Sequence, residues 1–255
     1  LVVGAEPSYM HVTAHAVAVA DALRQVALTL ERAPAPPPAV LSTENPPDVP
    51  PLPDFVAPSE APAQVFFPDL APWVSLPWRA APAGGRVRAF ARELSDIASG
   101  RRRFYGVPFE LTPVSGGTGT GAVGRWGGGS AGGAGPIAVG DRAVRVLYFL
   151  HGALAAPSGR VGRYVIRYTD GHEEQLPLTV PVSTGNWRHG YAEGEVSRPA
   201  PVRVRRPGSD SAEWRYPRVL EWANPRPDVP VAGIRFEASG PETGVFLLAV
   251  TGVGR

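Results

Sequence analysis

Val219-Leu220-Glu221-Trp222-Ala223-Asn224-Pro225-Arg226-Pro227-Asp228, followed by Val231-Ala232-Gly233-Ile234-Arg235-Phe236-Glu237 and then Val245-Phe246-Leu247-Leu248-Ala249-Val250, is the stretch that decides the fold. Asn-Pro followed by Pro-Asp cannot continue a strand, because each proline fixes φ and removes a ladder donor. The stretch is therefore two strands around a turn, with a third to close. Ile234 and Phe236 alternate with Arg235 and Glu237, the period-two pattern of a sheet with one wet face. The last run is apolar at odd and even positions alike, which places it in the middle of a sheet covered on both sides.

Working outward, extended segments are expected over Phe104–Leu111, Ala143–Leu150, Arg163–Tyr168 and Glu173–Leu178. Thr169-Asp170-Gly171-His172 supplies a hairpin turn between the last two. Between Pro201 and Pro207, Val202 and Val204 alternate with Arg203 and Arg205, a strand with one charged face. Leu94–Gly100 is expected to form a turn of helix. Glycine-rich 115–136, polar-aromatic 182–194 and polar 208–217 read as loops. Strands spaced in this way, with turn residues between them, predict an antiparallel sandwich.

Leu220–Asp228, Ile234-Arg235-Phe236 and Leu248-Ala249-Val250-Thr251-Gly252 resemble the end of a β-sandwich module found beside catalytic domains in large bacterial glycoside hydrolases. Phe104-Tyr105-Gly106-Val107-Pro108-Phe109-Glu110-Leu111, Leu147-Tyr148-Phe149-Leu150-His151-Gly152 and Gly162–Gly171 look like its earlier strands, in order. The resemblance spans Phe67 to Gly252. It implies a galactose-binding-like jelly roll and a non-catalytic, carbohydrate-binding or accessory role. The matching residues are strand cores and turns, and a fold does not dictate an activity.

Upstream of Val65 the composition changes. Val12, Ala16, Val19, Leu23, Val26 and Leu30 recur at spacings of four and three, the stripe of an amphipathic helix over 1–32, with Ser8 as N-cap and Pro34 as stop. Val26–Leu30 also alternates, so a strand pairing stays open. Residues 33–64 hold Pro34, Pro36, Pro37, Pro38 and further prolines to Pro62, which favours extended polyproline geometry. This segment is either an interdomain linker or a strap laid in a groove, anchored by side chains such as Phe55. Helix and strap together suggest an arm for self-assembly through Val12, Val19, Leu23, Val26, Leu30 and Phe55. The expected division is thus arm 1–32, strap 33–64 and sandwich 65–255.

Of 255 residues none is cysteine, which excludes disulfides and zinc-thiolate sites. Every basic residue is arginine, a bias of GC-rich genomes. The formal charge of +2 argues against a global nucleic-acid field. No apolar run is long enough to span a bilayer as a helix. The opening at Leu1 fits a processed secreted protein or a partial sequence, and the expected location is extracellular or on a bacterial surface.

Catalytic motifs are missing. The run has no H-E-x-x-H, no G-x-S-x-G elbow and no cysteine nucleophile. Gly119-Thr120-Gly121-Ala122-Val123-Gly124 matches G-x-G-x-x-G in form, but Arg125-Trp126-Gly127-Gly128-Gly129 cannot start the helix that would receive a pyrophosphate. His11 and His15 lack a third metal ligand, and no oxygen-rich loop names a calcium ion. Arg101-Arg102-Arg103 reads as a solvated lead into a strand rather than a nucleic-acid or sulfated-glycan site, because phosphate binding needs a broader basic surface with stacking aromatics. Saccharides, in contrast, stack their C–H faces on Trp or Tyr and take hydrogen bonds around the rim. Trp126, Trp187, Arg188, His189, Tyr191 and Trp214 supply those groups, although Trp187 and Trp214 are equally suited to a core. The expectation is a non-enzymatic, secreted sandwich that binds glycan. The alternative is a structural subunit of a homo-oligomeric extracellular filament. Neither uses nucleic acid or membrane insertion.

Overall fold

The longest apolar runs in the sequence lie at the centre of the molecule, and every other element is placed against them. In the computed structural model, residues 65–75, 85–114, 119–126, 135–154, 158–190, 195–205, 211–239 and 243–254 are described. All belong to one compact unit, Ser42–Arg255. The arm, the strap and their proposed contacts (Val12, Val19, Leu23, Val26, Leu30, Phe55) lie outside the described residues.

The elements, in order, are β1 (Val65–Phe66), α1 (Gly85–Ser95), β2 (Gly100–Phe104), β3 (Val107–Leu111), β4 (Val123–Trp126), β5 (Ile137–Arg142), β6 (Val144–Leu154), β7 (Gly159–Tyr168), β8 (Glu173–Val180), β9 (Arg198–Pro199), β10 (Val202–Arg205), β11 (Ala212–Arg215), β12 (Arg218–Ala223), β13 (Val231–Ala238) and β14 (Gly244–Gly254). The fold is mainly β and sandwich-like, with every strand-to-strand ladder antiparallel.

The central sheet has the order β1-β14-β6-β12-β9, with β4 also on β14. The second sheet is β5-β13-β7-β8. The Asn224–Pro230 turn therefore joins strands of different sheets: β12 pairs with β6, whereas β13 pairs with β7 and β5. Asn224 holds this crossing. Its Nδ2 donates to Val144 O (2.7 Å), and its Oδ1 accepts the Tyr168 hydroxyl (2.5 Å) and the Arg226 N–H (2.8 Å).

Side-chain alternation on the central strands fills two cores. Leu147 and Phe149 of β6, with Val245 and Leu247 of β14, face Tyr164, Ile166, Ile234 and Phe236 of the second sheet. Tyr148, Leu150, Phe246 and Leu248 point the other way, onto Phe90 and Leu94 of α1, Phe109 of β3 and Val204 of β10. A bulge between Leu247 and Ala249 lets Leu248 and Ala249 both face this second core before Val250 returns to the first. Burial on both faces is what the continuous apolar spelling of β14 anticipated. The second sheet has one wet face, where Arg163 pairs with Glu237 at 2.6 Å and Arg235 with Glu173 at 3.1 Å.

The outer edge at β8 is capped by the chain itself at its Pro177–Thr179 end. Pro177 has no N–H, and Ser183 Oγ accepts the Thr179 N–H (2.9 Å) and donates to Pro177 O (2.9 Å). That end of the edge thus offers few free ladder groups to another strand.

Three local expectations are corrected. The helix runs over Gly85–Ser95 rather than beginning at Leu94, because Phe90, Ala91 and Leu94 form its buried face. The glycine-rich stretch contains strand β4, paired to β14 over Val123–Trp126. The segment expected as a loop over 208–217 contains β11, which forms a hairpin with β10 and sets Arg203 opposite Trp214.

Candidate functional site

α1, the hairpins β2–β3 and β10–β11, and the loop 186–190 form a layer over the second core. Its polar interior is organised by two buried charges. The first is Glu93, which sits on the apolar stripe of α1 and is 1% exposed. Its Oε2 accepts Trp187 Nε1 (2.5 Å) and Arg215 Nε (3.0 Å), and its Oε1 accepts Arg215 Nη2 (2.7 Å) and Arg188 Nη2 (3.0 Å). Burial on its own favours the neutral acid. The hydrogen bonds from Arg215 and Trp187, with the charges of Arg215 and Arg188, outweigh it and hold the carboxyl below its usual range. Helix, loop and hairpin meet on this one carboxylate.

Trp187 is wholly buried and meets Phe90 and Phe246 edge-on, with ring centroids 5.0 and 5.2 Å away. Its backbone continues the anchoring: its N–H donates to Ala153 O (2.8 Å), and its carbonyl accepts Tyr216 N–H (2.8 Å). Its surroundings are those of the core alternative, with no ring face open to a ligand.

The second node is Arg218 of β12, 1% exposed. Its guanidinium donates to Glu195 Oε1 and to the carbonyls of Tyr216, His189 and Gly190, so it fixes the loop from behind. Glu195 also accepts Ser197 Oγ at 2.9 Å. Gly185 is required here, since a Cβ on it would overlap the Arg218 guanidinium.

His151, directly across the ladder from Arg218, is a third buried polar group. Ser183 O can only accept, so Nε2, 3.1 Å away, carries the proton, and Nδ1 accepts the Tyr164 hydroxyl at 2.8 Å. The neutral ring is fully satisfied. Burial, reinforced by the Arg218 charge and only partly opposed by the Ser183 carbonyl, pushes its pKa down to about 3. The unfolded chain takes up this proton near pH 6.5 and the folded chain does not, so stability falls as pH drops from about 6.5 toward 3. Between pH 7 and 5 this one group is expected to cost about 2 kcal/mol. Urea unfolding of wild type and His151→Gln at both pH values checks it: the variant should lose less over that interval, and equal losses would contradict the assignment.

The remaining sequence candidates divide. Arg188 has a side chain 55% exposed beyond its bond to Glu93, and His189 is exposed beside it, both on a turn where Asn186 Oδ1 accepts the Arg188 N–H at 2.9 Å. Trp214 is half-buried on the side of the hairpin opposite Arg215, with the Arg203 guanidinium 5.5 Å from its ring centroid. The indole N–H has no acceptor. Trp126 lies on β4, opposite Gly244, and Tyr191 lies outside the described residues. The structure thus links Trp187 and Arg188 through Glu93, while Trp214 belongs to a separate, outward surface. Sequence reasoning missed Glu93, Arg215 and Arg218. The one available signal was an acid on a helical apolar stripe, Phe90-x-x-Glu93-Leu94-x-x-Ile97.

Among the described residues, no three His, Asp or Glu side chains converge as a metal site. No protein-family model matches the chain, and no curated protein is significantly similar to it.

Proposed function

We propose that this chain is a non-catalytic, galactose-binding-like jelly-roll module of the carbohydrate-binding or accessory type, acting outside the cell, and that its saccharide face is the outer side of β10–β11. The observation that carries the reading is Trp214. It is a half-buried indole on the β10–β11 hairpin, with the guanidinium of the exposed Arg203 5.5 Å from its ring centroid. An aromatic face with donors at its edge suits the apolar C–H side and hydroxyl rim of a pyranose. A structural rather than acid–base role for the buried carboxylates supports the non-catalytic part: Glu93 and Glu195 are each held by a buried guanidinium in different nodes.

Trp214→Ala tests this directly. Retention of the full chain in gels cast with plant or bacterial polysaccharides should weaken at least about tenfold, in line with the loss of an aromatic anchor, while the melting temperature changes little. Unchanged retention would contradict the assignment of this face.

A further inference from the structure

The layers separate charge in a way the overall balance conceals. Among the described residues of the covering layer, the exposed basic ones are Arg92, the triplet Arg101–Arg103, Arg188, Arg203 and Arg205, against the exposed acids Asp96 and Glu110. Its other described acids are engaged: Glu93 and Glu213 with Arg215, and Glu195 with Arg218. The opposite layer is balanced. There Arg142, Arg160 and Arg167 are exposed beside Asp141, Asp170, Glu173 and Asp228, and the half-buried Arg163 and Arg226 are paired with Glu237 and Asp170. Among the described residues, the covering layer is therefore the basic side of a nearly neutral chain.

These arginines are positioned rather than loose. Arg101 lies over the Phe67 ring (4.9 Å to the centroid) and 3.4 Å from Glu110, Arg103 donates to Gly106 O at 2.6 Å, and the Arg205 backbone N–H is held by Asp96 Oδ2 at 2.8 Å. The hairpins that bear them share the second core, so the charges sit on a fixed surface rather than on a tail. A fixed array of planar, weakly hydrated donors matches a repeating row of carboxylates or sulfates, each of which a guanidinium can grip in a fork.

We propose that the covering layer binds an acidic polysaccharide, whose anionic groups meet these arginines while one sugar ring rests on Trp214. This rests on the saccharide reading above and names the class of saccharide. A polysaccharide fits better than a nucleic acid. The large hydrophobic side chains exposed among the described residues are Val182 and Val196, so successive bases have no row of open rings to stack on.

The test uses the full chain with polygalacturonate, a sulfated galactan, a neutral galactan and single-stranded DNA as probes. Wild type should bind at least one acidic polymer about tenfold more tightly than the neutral one, and the difference should collapse between about 0.05 and about 0.5 M NaCl. Combined Arg101→Gln, Arg102→Gln and Arg103→Gln should remove most of that tenfold preference and leave the melting temperature unchanged. Equal binding of neutral and acidic polymers, indifferent to the triplet, would overturn the charge assignment and leave the saccharide face standing. Binding of none would remove both. Tighter binding of DNA than of any polysaccharide would overturn the proposal in favour of a different partner.

Discussion

Glu93→Ala is expected to destabilise the protein by about 3–5 kcal/mol, the range for removing one partner of a buried ion pair. The loss exceeds that of a surface pair because the partners cannot return to water. Arg215 is itself 5% exposed at its side chain and would keep only Glu213 and the Trp214 carbonyl, while the Trp187 indole N–H would lose its acceptor inside an apolar core. Glu93→Gln should fare little better. One of its oxygens becomes an NH2 that faces donors from Arg215 and Trp187 or from Arg188, and a donor cannot receive them. Urea unfolding at pH 7 followed by tryptophan fluorescence measures both, and a change below about 1 kcal/mol would mean that the node is solvated in the native protein.

The second large effect is at Arg218. Arg218→Met keeps the length of the aliphatic stem but takes the guanidinium away from Glu195 and from the carbonyls of Tyr216, His189 and Gly190. A loss of about 3–5 kcal/mol is expected, with the 186–190 turn becoming the first site of limited proteolysis. Arg218→Lys should recover part of it, since an ammonium can reach fewer of these acceptors than a fork. A variant as stable and as protease-resistant as wild type would show that the loop is held by something other than this guanidinium.

What the sequence disclosed follows from which interactions are periodic. The two-sided burial of β14, the one wet face of β13 and the Asp170-Gly171 hairpin were all legible, because alternation and turn chemistry are local properties. Strand β4 was not legible. Val123-Gly124-Arg125-Trp126 sits among glycines and becomes a strand only through its pairing with β14. Strand β11 was hidden in the same way by the polar residues around it, and that error placed Trp214 on a loop. The site was half legible. Trp187 and Trp214 looked alike in sequence, and only the long-range partners separate them: Glu93, some ninety residues upstream, claims the first, while Arg203 lies over the second. Glu93 escaped notice because an acid is ordinarily read as solvent-facing until the guanidinium that neutralises it is in place.

The 186–190 loop and the β10–β11 hairpin are bolted to α1 through one buried carboxylate, Glu93. A double-mutant cycle on Glu93→Ala and Arg215→Ala in the full chain tests it most directly. A coupling of at least about 2 kcal/mol is predicted, because each single change strands the other charge and the double change strands neither. Additive losses, with coupling below about 0.5 kcal/mol, would contradict this anchoring role for Glu93.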